Sequence, residues 1–159
     1  MGYAVVDELN AVEAWANALL AQLSPAARRA ATRDIARKLR ITQQMRIAAQ
    51  QNPDGSAYEP RKAKAGDKRL REKRGRIKRA AMFAKLRTTR WLKVEADANG
   101  LAIGFAGRVA RLARIHQLGE KAPVTPGGPA YRYPARVLLG FTDMDRAVIC
   151  NTLLRHITN

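Results

Sequence analysis

The chain has 159 residues, enough for one domain with a modest core, and its formal net charge is +17. Hydrophobic residues make up 47%, which excludes a wholly disordered chain, and no apolar run reaches the roughly 20 residues of a membrane-spanning helix. The cationic excess opposes compaction by self-repulsion and calls for polyanionic or acidic partners. Much of the apolar share is alanine, so a thin core completed by contacts with other chains is expected. The opening "MGYAVVDELN" has acids where a signal peptide would be apolar, and it predicts neither a leader nor a lipid anchor. Cys150 is the lone cysteine and has no internal disulfide partner. The reading is a buried, inert thiol in a chain made in a cytoplasm.

Residues 5–23 read as an amphipathic helix, with Val5, Leu9, Val12, Ala16, Leu19 and Leu23 at spacings of three and four. Ser24-Pro25 supplies an N-cap and a first-turn proline for a second helix reaching to about Gln51. Ala31, Ile35, Leu39 and Thr42 share one face of it, and Ile41, Met45 and Ala48 are expected to continue the apolar side. The short link predicts an antiparallel helix pair. "NPDGSAYEP" (52–60) is a turn that stops the helix.

A basic segment follows. Residues 61–90 hold fourteen Lys and Arg against Asp67 and Glu72, a net of +12. Its centre, "KRLREKRGRIKRA", carries Lys68, Arg69, Arg71, Lys73, Arg74, Arg76, Lys78 and Arg79. Leu70 and Ile77 are too few to hold residues 61–80 on a core, so a mobile basic arm is expected there.

"RWLKVEADANGLAIGFAG" (90–107) alternates apolar and polar residues on both sides of Asn99-Gly100. This predicts a 91–106 hairpin whose tight turn uses positive φ angles. Two strands alone are marginal, so the hairpin must lie on the helices or extend a neighbour's sheet. Residues 108–118 return to helical spacing, with Val109, Leu112, Ile115 and His116 inward and Gly119 as terminator. "APVTPGGPAYRYPAR" (122–136) reads as a Pro/Gly loop that presents binding surface. The last helix, 142–157, begins at Thr142 with Asp145 in a capping-box pairing, and Ala147, Val148, Leu153, Leu154 and Ile157 supply its apolar side. The class is α+β.

The usual marks of catalysis are missing. His116 and His156 stand in no metal-ligand spacing with Cys150, and His156 points to a different side of the last helix. There is no nucleophile elbow and no phosphate-cradling loop, and the acids are scattered. The reading is a non-enzyme with no cofactor and no metal. The basic segment could neutralise phosphates without regard to sequence. It could equally be a solvated loop that folds against acidic neighbours in an assembly. Trp91 and Phe83 sit at the junction with the hairpin, where core or interface use outweighs base stacking. Trp15 is likewise read as an anchor. Composition therefore leaves nucleic-acid binding and assembly both open.

Four stretches carry a resemblance: "QQNPDGSAYEPRK" (50–62), "MFAKLRTTRWLK" (82–93), "GFAGRVARLARIHQLG" (104–119) and "YRYPARVLLGFTDMDRAVI" (131–149). Together they resemble the phage virion morphogenesis family, the tail-completion protein S family of P2-like contractile-tailed phages. The matching positions are Asn52, Pro53, Asp54 and Gly55 in the turn, and Arg108, His116, Gln117 and Gly119 around the short helix. Tyr133, Pro134, Arg136, Leu139 and Gly140 match before the last helix. His116 is read as a buried histidine bonded to backbone, holding helix to loop. Arg108 and Arg136 are read either as interface ion-pair partners or as snorkelling surface residues.

The resemblance implies a structural tail protein of 159 residues forming a single tail-completion domain, in a virion or tail particle assembled in the host cytoplasm. It implies a ring, by contractile-tail symmetry a hexamer, that completes the head-proximal end of the tail as a collar or neck. The implied partners are copies of itself, tube and sheath proteins, head–neck connector proteins where a head exists, and DNA in the channel; no membrane is involved. Headless tail-like bacteriocins (tailocins) use the same parts. Six copies would carry about +100 charges, which neighbouring surfaces must offset. The alternative is a non-catalytic, sequence-independent nucleic-acid-binding protein.

Overall fold

The computed structural model describes residues 3–60 and 81–158. The basic arm, with Lys68, Arg69, Arg71, Lys73, Arg74, Arg76, Lys78 and Arg79, lies outside the described residues. The elements in chain order are helices α1 (Tyr3–Ala21) and α2 (Pro25–Ala48), strands β1 (Leu92–Ala96) and β2 (Leu101–Phe105), and a 3-10 turn (Gly107–Val109). Helix α3 (Ala110–Leu118), strands β3 (Lys121–Pro123) and β4 (Ala130–Arg132) and helix α4 (Asp143–Thr158) complete the described chain. Helices with small two-stranded sheets make the class α+β. The chain folds as two compact units: residues up to 42, 93–104 and 141 onward form one, and residues 43–92 and 105–140 form the other.

In the first unit, Ser24 Oγ accepts the Ala27 N–H at 3.2 Å, so Ser24 caps α2 as its sequence predicts. Ala31, Ile35 and Leu39 of α2 and Leu153 of α4 are buried together, joined by Ala16, Leu20, Leu23 and Ile149. Helix α1 packs along α4. Leu101 and Ile103 of β2 also pack on this cluster, so the hairpin is completed by helices of its own chain. Thr32 Oγ1 donates to the Asp97 carbonyl at 2.6 Å and ties the hairpin turn to α2.

The turn itself differs from expectation. Neither Asn99 nor Gly100 has a positive φ. The Asp97 carboxylate instead accepts the N–H groups of Asn99 at 2.7 Å and Gly100 at 3.0 Å, which stabilises the turn in ordinary backbone conformation. The capping box of α4 is complete. Asp145 accepts the Thr142 N–H and hydroxyl, each at 2.9 Å, and Thr142 Oγ1 accepts the Asp145 N–H at 3.1 Å. The Thr42 hydroxyl also donates to Asp145, which is buried at 1% exposure.

The second unit has its own core of Ile47, Tyr58, Leu86, Ala113 and Leu138, with Met82, Phe83, Phe105 and Val109 against it. Gly119 ends α3 in the left-handed conformation at φ 66°, as its position predicts. The expected loop at 122–136 contains a ribbon, with Lys121 paired to Arg132, Ala122 to Tyr131 and Pro123 to Ala130 in antiparallel register.

Several expected inward residues are exposed: Ile41 and Met45 on α2, Leu112 on α3, and Leu154 on α4. Ala48 and Ala147 are exposed too, and Thr42 is half-buried. Past Leu39, the buried side of α2 is Gln43, Arg46 and Ile47. Two polar residues hold inward positions there because acceptors and donors await them. Cys150 is half-buried rather than enclosed.

Candidate functional site

The residues singled out by the four stretches fall in the second unit, and Asn52, His116 and Gln117 among them bond residues 136–139. This stretch belongs to no helix or strand and pairs with no strand among the described residues. Buried backbone N–H and C=O groups must find partners, and here side chains supply most of them. The Arg136 N–H donates to the His116 carbonyl at 2.7 Å. The Val137 N–H donates to Asn52 Oδ1 at 2.8 Å. Gln117 Oε1 accepts from Leu138 at 2.7 Å and Leu139 at 3.0 Å, while its Nε2 donates to the Leu139 carbonyl at 2.8 Å. The Gly140 N–H reaches Gln43 Oε1 at 3.2 Å.

Arg46 completes the cradle. Its guanidinium donates to the carbonyls of Val137 at 2.9 Å and Leu138 at 3.0 Å, and it also bonds Gln43. Tyr58 OH donates to the Val137 carbonyl at 3.3 Å, and burial pushes its phenol pKa up. Gln43 and Arg46 were not recognised from sequence. Their signal was phase: both fall on the buried side of α2 with Leu39 and Ile47, where a charged or amide residue needs partners.

Asn52 reaches the strap because its own turn holds it. Its N–H donates to the Ser56 carbonyl at 2.8 Å, and Gly55 takes φ 84°. Asp54 accepts from the Ser56 N–H at 2.9 Å and hydroxyl at 2.6 Å, bonds that lower its carboxyl pKa. Gly140 lies under Pro53, where an added Cβ would come within 2.5 Å of the ring. Gly119 packs closely on the next loop, where an added Cβ would meet the Ala135 nitrogen and the Tyr133 carbonyl at 3.2 Å.

Arg136 is buried at 3% exposure. Its Nε donates to the Glu59 carbonyl at 2.7 Å and its Nη2 to the Pro60 carbonyl at 3.1 Å. Its Nη1 lies 3.1 Å from His116 Nδ1. An arginine only donates, so Nδ1 is the acceptor. The partners of Arg136 named here are intramolecular, which replaces the surface reading of this residue. His116 is half-buried, and besides this bond its ring meets Phe83 and Tyr133 edge-on at 4.8 and 5.1 Å. It does link the short helix to the loop, through a side-chain partner and its own carbonyl. Tyr58 and Tyr131 extend the ring contacts at either end, and Pro134 lies beside Tyr133 in the chain.

Both flanks of the basic arm at 61–80 are held in this unit. Arg136 grips Glu59 and Pro60 on one side. On the other, Gln50 donates to the Met82 carbonyl at 2.9 Å and accepts its N–H at 2.6 Å. Phe83 next to it adopts φ 63°, a conformation that costs a non-glycine residue energy and is held by its packing. Trp91 is half-buried with the guanidiniums of Arg90 and Arg108 over its ring at 4.9 and 5.5 Å, contacts that compete with base stacking. An open, mainly apolar groove of about 280 Å³ lies beside α3, with Phe105, Ala113, Leu118 and Leu139 in its lining together with Arg114 and Gln117.

Among the described residues no group of three or more His, Cys, Asp or Glu could hold a metal ion, and no helix is long and apolar enough to cross a membrane. In this α+β chain Asn52, Gln117 and Arg136 turn their polar side-chain atoms to the chain's own backbone. The chain belongs to the phage virion morphogenesis family, whose profile matches residues 7–158. It is 37% identical over 153 residues to "Tail completion protein S" of Escherichia phage P2, which covers 96% of this chain and 99% of that one. No solved structure matches it.

Proposed function

We propose that this protein is a non-enzymatic tail-completion subunit, with residues 1–159 acting as one module. Copies form a ring, a hexamer by the symmetry of contractile tails, at the head-proximal end of the tail. The ring caps tube and sheath and offers a docking surface to head–neck connectors where the particle has a head. The observation that carries this reading is the end-to-end likeness to Tail completion protein S, with 96% of one chain and 99% of the other aligned. The site geometry is in keeping with it. The residues in the resembling stretches position residues 136–140 and the two flanks of the basic arm at 61–80, and so shape a surface rather than a reaction.

Native mass spectrometry on nuclease-treated tail particles and on the purified chain tests the reading. A discrete ring-sized species and incorporation into tails are expected. A monomer or dimer that is absent from particles and binds duplex tightly would favour the nucleic-acid-binding alternative.

The basic arm at 61–80 has its part in the same proposal: it contacts an adjacent subunit or the tail beneath, with DNA in the channel as its second use. Deleting residues 64–79 should lower ring occupancy on imaged tails. Normal tails with normal occupancy would refute that role.

A further inference from the structure

Helix α2 carries a second cationic feature, inside the described residues and separate from the arm. Arg29, Arg33, Arg37 and Arg40 recur at spacings of four, four and three. At 3.6 residues per turn they share an arc of about 80°, and a rise of 1.5 Å per residue sets the ends about 16 Å apart. The arc faces away from the buried Ala31, Ile35 and Leu39, with buried Ala36 at one border. Arg29, Arg33 and Arg37 are exposed and Arg40 is half-buried. Among the described residues none of these four guanidiniums has an ion pair or hydrogen bond. The one acid of α2, Asp34, is turned to Lys38 at 2.8 Å and His156 at 3.6 Å. Among the described residues the stripe is therefore unneutralised and of single sign.

We propose that this face of α2 binds the phosphate backbone of duplex DNA without regard to base sequence. One strand of duplex DNA presents a negative charge per about 3.4 Å, so a stripe of about 16 Å along it meets about five charges. Guanidinium forks match phosphate oxygens two at a time, as lysines do not. A protein partner fits less well. Protein interfaces centre on aromatic or apolar anchors and are depleted of charge there. Here charge occupies the centre, Ala26 and Gln44 fall within the arc, and the exposed apolar Ile41 stands only at its edge beside Ala30. The proposal does not depend on the tail reading, and either can fail alone.

Fluorescence anisotropy of the full chain with a labelled duplex, titrated between about 50 and about 200 mM salt, tests it. Arg33→Gln with Arg37→Gln should reduce the slope of log K against log salt by about 2 and weaken binding about tenfold or more at about 0.1 M salt. The loss should be equal on a scrambled duplex, and Arg33→Lys with Arg37→Lys should keep most of the slope. Thermal unfolding of each variant checks that the fold is intact, as expected for exposed side chains. If the first pair fails to fold, Arg29→Gln alone should lower the slope by about 1. Three outcomes overturn the proposal: no duplex binding by the parent, an unchanged slope in the folded glutamine variant, or poly-glutamate of matched charge competing as well as duplex. The last would reassign the stripe to an acidic protein. Incorporation of the same variants into tails is scored separately, so a negative result on DNA leaves the tail reading standing.

Discussion

Arg136 takes a full charge into the interior of its unit, where its fork holds two carbonyls of the turn segment and one imidazole nitrogen. Removing one partner from such an arrangement leaves buried acceptors unsatisfied, which costs more than the bonds contribute when intact. Arg136→Ala should lower the unfolding free energy by about 3 kcal/mol in urea titration, and Arg136→Lys should recover less than half, because an ammonium cannot reproduce the planar fork. A loss under about 0.5 kcal/mol would show the clamp to be dispensable. Asp34 makes a pH-dependent contribution. Its hydrogen bond and ion pair with Lys38, with His156 adding to them, lower its carboxyl pKa from 3.8. The folded carboxyl therefore titrates below the unfolded one. Its stabilisation is present above about pH 3.8 and is lost as pH falls through the lowered value. Urea midpoints measured across the acid range should fall less steeply in Asp34→Asn than in the parent. Parallel curves would contradict this.

Helix α4 begins on a reciprocal cap whose acid also receives the Thr42 hydroxyl of α2. Thr142→Ala should cost about 1 kcal/mol, and Asp145→Ala about 2–3 kcal/mol because it also strands a hydroxyl. The two changes should be coupled by at least about 0.5 kcal/mol in a double-mutant cycle, and strict additivity would mean that the box is not a unit. This cap was legible in the sequence because its partners lie three residues apart. The Ser24 cap, the Gly119 terminator and the alternation of the hairpin were legible for the same reason: each is a local pattern. The inward turn of Gln43 and Arg46 was not, because their partners at residues 137–140 lie about ninety residues away. Local periodicity instead pointed to Ile41 and Met45, which are exposed. Strands β3 and β4 escaped notice because each is three residues long and set among prolines and glycines. The positions in the resembling stretches were visible as words. That Asn52 and Gln117 bond residues 137–139, and Arg136 the carbonyls of Glu59 and Pro60, was visible only once the chain was folded.

For the molecule as a whole, a net charge of +17 is carried on two compact units with small separate cores. Copies gathered in a ring would repel one another unless carboxylates of the tail or phosphates of DNA offset the charge. The arginine face of α2 and the basic segment give two places where that compensation can act. The most direct test of the account is to image nuclease-treated tail particles carrying a label on this chain and to locate the label along the tail. The account predicts a closed ring of label at the head-proximal end of each particle. Label spread along the tail, or missing from particles altogether, would contradict it.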